Sequence, residues 1–172
     1  MRASINQGAR FKLPPISTSR MQIVLVNPQI PQNTGSIART CAATQTPLHL
    51  VGPLGFDLSE KSVRRAGLDY WPYVPLSRHD SWEGYLESAK PEKVWLLTKF
   101  ATRVYYDVSF GPNDGLVFGS ETTGLGNEFL SKYPEEQWLK IPMVCPEVRS
   151  LNLSNAVSVV LYEAIRQRDQ GR

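Results

Sequence analysis

From Met21 onward, short runs of consecutive apolar residues alternate with stretches whose apolar positions recur every three or four residues. These are the two signatures of buried strands and amphipathic helices. Gln22–Val26 (QIVLV) predicts a buried strand, ended by Asn27-Pro28. Asn33 then offers an N-cap to a helix running through about Thr44, with Ile37, Ala38 and Cys41 on one face. Leu48–Val51 predicts a second short strand, stopped by Gly52-Pro53, and Ser59 to Ala66 a helix carrying Lys61, Arg64 and Arg65 that stops at Gly67. Tyr73–Leu76 reads as a third strand, and Asp80 as the cap of a helix through about Ala89. Val94–Thr98 (VWLLT) has the apolar run of a central strand, and Leu116–Phe118 is another. A helix over Asn127–Tyr133, a strand near Trp138–Ile141 and a long amphipathic helix from about Ser154 to Arg168 complete the chain. Strands alternating with helices predict an α/β fold: a single domain over residues 21–172, with a mostly parallel sheet flanked by helices.

Composition agrees with one compact domain. The chain has 172 residues, 41% hydrophobic and 20% charged, which suits a soluble protein with a single core. No run of about 18 apolar residues is present, so no membrane span is expected. Cys41 and Cys145 stand far apart without C-x-x-C spacing and read as free thiols of a reducing compartment. With only His49 and His79 as histidines, no metal site is expected.

The net charge of +3 looks at first like the signature of an RNA binder. Residues 1–20, however, hold Arg2, Arg10, Lys12 and Arg20 and no acid, which leaves 15 basic against 16 acidic residues in the rest. Any nucleic-acid contact by the folded part must therefore use a local patch rather than a global field. The acid-free segment with Pro14-Pro15 suits a disordered leader, an organellar targeting segment or an extension from an upstream start. A cytoplasmic location is expected, or an organellar one if residues 1–20 are a targeting segment.

In parallel sheets, ligands bind beyond the carboxyl ends of the strands, so the chemistry belongs to the turns after residues 26, 98, 118 and 141. No G-x-G-x-x-G follows the first strand, and neither a P-loop nor a G-x-S-x-G elbow occurs, which removes the main support for nucleotide-dependent dehydrogenase, NTPase and serine hydrolase functions. The first turn, Asn27 to Arg39, offers Asn33, a permissive Gly35 and the planar fork of Arg39, suited to a phosphate. The turn after Phe118, GSETTGLG, places Gly119, Gly124 and Gly126 around Glu121, and its exposed backbone could cradle an adenosine moiety. Glu121 could equally serve a helix dipole. In the third segment Asn152, Ser154 and Asn155 cluster before the last helix; one caps it, and the others are left to bind a ligand or a folded-back loop.

Taken in order, Asn33–Arg39, Phe118–Gly124 and Ile141–Val157 resemble the N-x-G-x-x-x-R, F-G-x-E-x-x-G and I-P-M…R-S-L-N-L-S-N-A-V turns of the SPOUT RNA methyltransferases. Within that class the chain is most similar to the small tRNA (cytidine/uridine-34) 2′-O-methyltransferases, a likeness extended by Arg64-Arg65-Ala66-Gly67-Leu68-Asp69-Tyr70. The resemblance spans about Met21 to Arg168. It departs at Ser120, where many relatives carry Pro, implying a less rigid turn, and at Thr123, a position often filled by Arg. The Cys145-Pro146-Glu147-Val148 stretch is also a residue longer than in close relatives.

The resemblance implies a deep C-terminal trefoil knot, a homodimer with active sites near its interface, and S-adenosyl-L-methionine as cofactor. It implies 2′-O-methylation of the wobble nucleotide, C or U at position 34, in a tRNA anticodon loop. Methylation at another tRNA or rRNA site, or a non-catalytic RNA-binding dimer, are the alternatives. By the same resemblance Arg39, Asn33, Asn152 and Ser154 form the catalytic constellation. The cofactor falls to Leu97, Thr98, Gly119, Glu121, Gly124, Ile141, Met143, Ser150 and Leu151, and RNA contact to Arg39, Arg149 and Tyr162. Because a guanidinium stays protonated, the role implied for Arg39 is stabilisation of the developing alkoxide or its adjacent phosphate, not removal of a proton.

Overall fold

A computed structural model describes residues 21–56 and 70–171. The expected leader and the expected helix over Ser59–Ala66 lie outside the described residues. Six strands form one sheet: β1 (Gln22–Val26), β2 (Leu48–Val51), β3 (Leu76–His79), β4 (Val94–Leu97), β5 (Gly115–Phe118) and β6 (Trp138–Leu139). Their order is β3-β2-β1-β5-β4-β6, and every pairing is parallel. The helices are α1 (Pro31–Thr44), α2 (Trp82–Ala89), α3 (Asn127–Leu130) and α4 (Leu153–Asp169).

Both faces of the sheet are covered, which explains why its inner strands are continuous apolar runs rather than alternating ones. Successive side chains still point to opposite faces. Ile23, Leu25, Leu48, Leu50, Leu116 and Phe118 pack with Ile37, Ala38 and Cys41 of α1 and with Val157, Val160, Leu161 and Ala164 of α4. Val24, Val26, Val51, Leu96 and Val117 pack with Trp82 and Tyr85 of α2 and Leu130 of α3. Cys41 is wholly buried, and burial pushes its thiol up to about 12; Cys145 is exposed, and both thiols are free.

Several boundaries differ from the sequence-based expectation. Asn33 does not cap α1: the helix begins at Pro31, whose fixed φ suits the first helical position, with Ile30 as the cap residue. The expected strand over Tyr73–Leu76 is a 3-10 turn at Trp71–Tyr73 followed by β3, a polar edge strand. Ser81, not Asp80, caps α2, its Oγ accepting from the Gly84 amide at 3.1 Å. The helix after the glycine-rich turn ends at Leu130, not Tyr133, and β6 spans two residues. Among the described residues no helix is long and apolar enough to cross a membrane, and no group of three or more His, Cys, Asp or Glu could hold a metal.

At the β2–β3 edge, His49 and His79 meet with Nδ1 and Nε2 2.9 Å apart, their rings against Tyr85. Burial, then the neighbouring His79, lowers the His49 pKa to about 4, and burial lowers that of His79 as well. Unfolded imidazoles take up protons below about 6.5, whereas folded His49 resists until nearer 4 and His79 is shifted in the same direction, so folding loses stability as pH falls through that window. Thermal melts should therefore show a declining Tm from pH 6.5 to 4, and His49→Leu should flatten most of that slope. An unchanged slope in the variant would place the acid sensitivity elsewhere.

Candidate active site

The carboxyl ends of the inner strands open into a cavity of about 490 Å³. Four chain segments line it: Ile30 and Asn33 at the start of α1, Leu97 to Phe100 after β4, Phe118 to Gly126 after β5, and residues from Leu139 to Ala156 between β6 and α4. Leu97, Phe118, Leu130, Leu139, Ile141, Leu153 and Ala156 give it an apolar floor. Ser120, Thr122, Thr123 and the backbone of the glycine-rich turn add polar groups. Its size and mixed lining suit a nucleoside-sized ligand.

The glycine-rich turn owes its shape to backbone contact. The Ser120 amide donates to the Gly124 carbonyl at 3.1 Å, and the Gly124 amide returns to the Ser120 carbonyl at 2.9 Å. A β-carbon on Gly119 would stand 2.0 Å from the Gly124 carbonyl carbon, so no side chain fits there. Gly124 and Gly126 take φ of +63° and +77°, values that favour glycine. Ser120 does not leave the turn slack: its Oγ lies 2.8 Å from Thr123 Oγ1 and accepts from the Thr123 amide at 3.3 Å. Hydrogen bonds supply the restraint expected of Pro at that position, and Thr123 is spent on the turn itself.

One chain of hydrogen bonds ties three of these segments together. The Ser154 amide and hydroxyl donate to Asn152 Oδ1 at 2.9 and 2.7 Å. Asn152 Nδ2 donates to Asn33 Oδ1 at 2.9 Å, and Asn33 Nδ2 donates to Glu121 Oε1 at 3.0 Å. The Glu121 carboxylate also accepts from the amides of Gln29 (2.9 Å) and Ile30 (3.2 Å) at the entry to α1. The direction is fixed at both ends, because a backbone N–H can only donate and a carboxylate can only accept. Burial alone would raise the Glu121 pKa, but the hydrogen bonds from Asn33 and the α1 entry prevail and hold it below the usual carboxylate value.

The sequence-predicted residues thus divide. Asn33, Leu97, Thr98, Gly119, Glu121, Gly124, Ile141, Met143, Arg149, Ser150, Leu151 and Asn152 are gathered around the cavity. Arg39, Ser154 and Tyr162 are not among its lining residues. Arg39 is exposed on α1, its guanidinium 4.7 Å from the centre of the Tyr70 ring. Ser154 serves the relay, and Tyr162 lies 55% exposed on α4 beside the exposed Val159. Lys99 and Phe100 on the rim were missed, although they directly follow the Val94–Thr98 segment and the strand-end rule extends to them. Lys99 and Arg149 are the two basic residues among the cavity's lining residues.

Comparison with known proteins follows the same segments. The model of the SpoU rRNA Methylase family matches residues 20–162. A "tRNA (cytidine(34)-2'-O)-methyltransferase" of Saccharophagus degradans is 48% identical over 84% of this chain and 94% of its own. A protein of the same name from Escherichia coli K12 is also 48% identical, over 86% of this chain and 93% of its own. A solved structure described as giving "structural insights into the 2-OH methylation of C/U34 on tRNA" superposes with a TM-score of 0.81 at 46% identity, covering 91% of this chain and all of that one. The SpoU methyltransferase AviRb from Streptomyces viridochromogenes, solved in complex with AdoMet, gives a TM-score of 0.72 at 27% identity, covering 91% of this chain and 63% of that one.

Glu121→Gln keeps the side-chain shape but turns an amide towards donors that need an acceptor. Solvent reaches this carboxylate, so the loss should stay near 1–2 kcal/mol, about 3–6 °C in Tm at neutral pH. A depressed carboxylate contributes above its unfolded pKa and loses that contribution as pH falls through the folded value, so the gap to wild type should narrow in acid. Glu147→Gln, at an exposed carboxylate that accepts from the Cys145 thiol, should leave Tm unchanged. Equal melts for Glu121→Gln and wild type would refute the clamp.

Proposed function

The chain belongs to the SpoU rRNA Methylase family, and on that footing we propose that it transfers the methyl group of S-adenosylmethionine to the ribose 2′-oxygen of nucleotide 34, C or U, in a tRNA anticodon. The observation that carries this reading is the cavity itself. Four segments, each from a different part of the chain, close around a space of nucleoside size, and relatives named for this reaction match 84% and 86% of the chain.

The cofactor, when bound, supplies a methyl group activated by sulfonium. Leu97, Thr98, Gly119, Gly124, Ile141, Met143, Ser150 and Leu151 would hold it, offering apolar side chains and the polar backbone of the turns. The protein's main task is alignment, because a held near-attack geometry removes much of the entropic barrier. Glu121, Asn33, Asn152 and Ser154 act in this by fixing the turns against one another; a neutral amide neither takes nor gives a proton near pH 7. Arg39 supplies the charge that stabilises the 2′-oxygen as it loses its proton, or the phosphate beside it. Lys99 and Arg149 meet the RNA backbone at the rim.

The working unit is a homodimer packed through the α1–α4 layer, with the active sites near its interface. Exposed Val159 and Tyr162 on α4 favour such a contact, and so does Arg39, which faces outward from the layer rather than into its own chain's cavity. Tyr162 then lies where RNA enters at the dimer surface. The C-terminal segment is knotted. In support, the segment after β6 lines the same cavity as the β5 turn on its way from the sheet edge to α4, and the β4–β5 connection is hydrogen-bonded to α4. There Gln167 Oε1 accepts from the Phe110 amide, and Gln167 Nε2 donates to the Val108 carbonyl, both at 3.0 Å.

Incubation with methyl-labelled cofactor and unmodified tRNA should place the label on the ribose of nucleotide 34. Arg39→Ala should lower the rate at least a hundredfold with cofactor affinity within about twofold. Label on a base or on another nucleotide would overturn the substrate assignment, and full activity in Arg39→Ala would overturn the role of the arginine.

A further inference from the structure

We propose that Tyr70 is a positioning residue for Arg39, a rigid platform that selects the guanidinium orientation used in the reaction. The inference rests on the reading of Arg39 given above. Arg39 is exposed and carries a long side chain with many rotamers, so its planar fork is of little use unless something orders it. The Tyr70 ring lies beneath the guanidinium, 4.7 Å from its carbon, while the Tyr70 hydroxyl donates to the Gly35 carbonyl at 2.8 Å. Gly35 is four residues before Arg39, and in an α-helix that carbonyl also accepts from the Arg39 amide. The phenol therefore spans one turn of α1, pinned at its hydroxyl end and offering its face to the side chain one turn later.

Two further features make the ring a platform rather than an incidental neighbour. Tyr70 is half-buried and packs against the core shared by α1, α4 and the sheet, so the ring is braced from behind. The guanidinium carbon sits over the ring, and a guanidinium that lies flat on a ring keeps its in-plane N–H donors able to meet a phosphate or a ribose oxygen. At an exposed site such stacking amounts to a preference of about two- to fivefold for the stacked rotamer, and its loss also admits the other rotamers.

The test measures methylation of tRNA by full-length Tyr70→Leu, Tyr70→Phe and Tyr70→Trp, each alone and with Arg39→Ala. Tyr70→Leu should lower kcat about five- to tenfold with cofactor Kd unchanged. Tyr70→Phe and Tyr70→Trp keep the aromatic face and should restore kcat to within about threefold of wild type. In the Arg39→Ala background Tyr70→Leu should have no further effect. Loss of activity in Arg39→Ala with wild-type kcat in Tyr70→Leu would overturn the platform and leave the arginine's role standing. Unaltered activity in Arg39→Ala would instead remove the arginine and the platform together. An equal loss from Tyr70→Leu with and without Arg39 would make Tyr70 a purely structural residue and also overturn the proposal. Should Tyr70→Leu fail to fold, Tyr70→Phe and Tyr70→Trp decide: a tenfold loss in both, despite their aromatic face, contradicts it.

Discussion

The hydrogen-bond chain from Ser154 through Asn152 and Asn33 to Glu121 is the constraint on which the site depends. The turns rest on apolar contacts beneath, Ile141, Leu153 and Ala156 against one side of the core and Leu125 against the other, but where they meet at the cavity they are joined by polar side chains. A carboxylate at one end and a helix amide at the other polarise the amides between them, so every member has one satisfactory orientation. Breaking the Asn152–Asn33 or the Asn33–Glu121 link frees a donor or acceptor that is partly shielded from water, which costs more than the bond contributed. The cavity is thus held by polar groups at its mouth and by the apolar core beneath it.

Much of the fold was legible because the inner strands are buried on both faces. Gln22–Val26 and Leu48–Val51 read as short, mostly apolar runs and form β1 and β2 with those bounds. The edge strand was not legible. Its residues, Leu-Ser-Arg-His, pair on one side only and carry little apolar signal, while the preceding Tyr73–Leu76 stretch is apolar but forms a turn and the strand's first residue. Helix starts failed where the cap is not local. Asn33 resembles a cap by composition, yet the acceptor that serves the α1 entry is Glu121, 91 and 92 residues away from the amides it binds, which no window can detect.

The site was legible as a set of turns but not as a division of labour. The resemblance implied Asn33, Glu121 and Asn152 as site residues, and hydrogen bonds join the three; the cluster of Asn152 and Ser154 was already too rich in polar residues for a single cap. Asn152 caps α4, and its Nδ2 donates to Asn33 in the first turn of α1. Glu121 resolves likewise: it serves a helix dipole, though that of α1 rather than of the helix that follows it. The partnership of Arg39 with Tyr70 had no sequence signal at all, since a ring and a guanidinium 31 positions apart meet only when α1 is packed.

The most direct test of the relay as the builder of the cavity is a double-mutant cycle on cofactor affinity, measured by calorimetry, with Asn33→Ala and Asn152→Ser. Serine keeps the cap of α4 but cannot reach Asn33. If the two residues act through one chain, each substitution weakens cofactor binding and the double variant is little worse than either alone, a coupling of about 1 kcal/mol or more. Independent, additive losses would contradict the account.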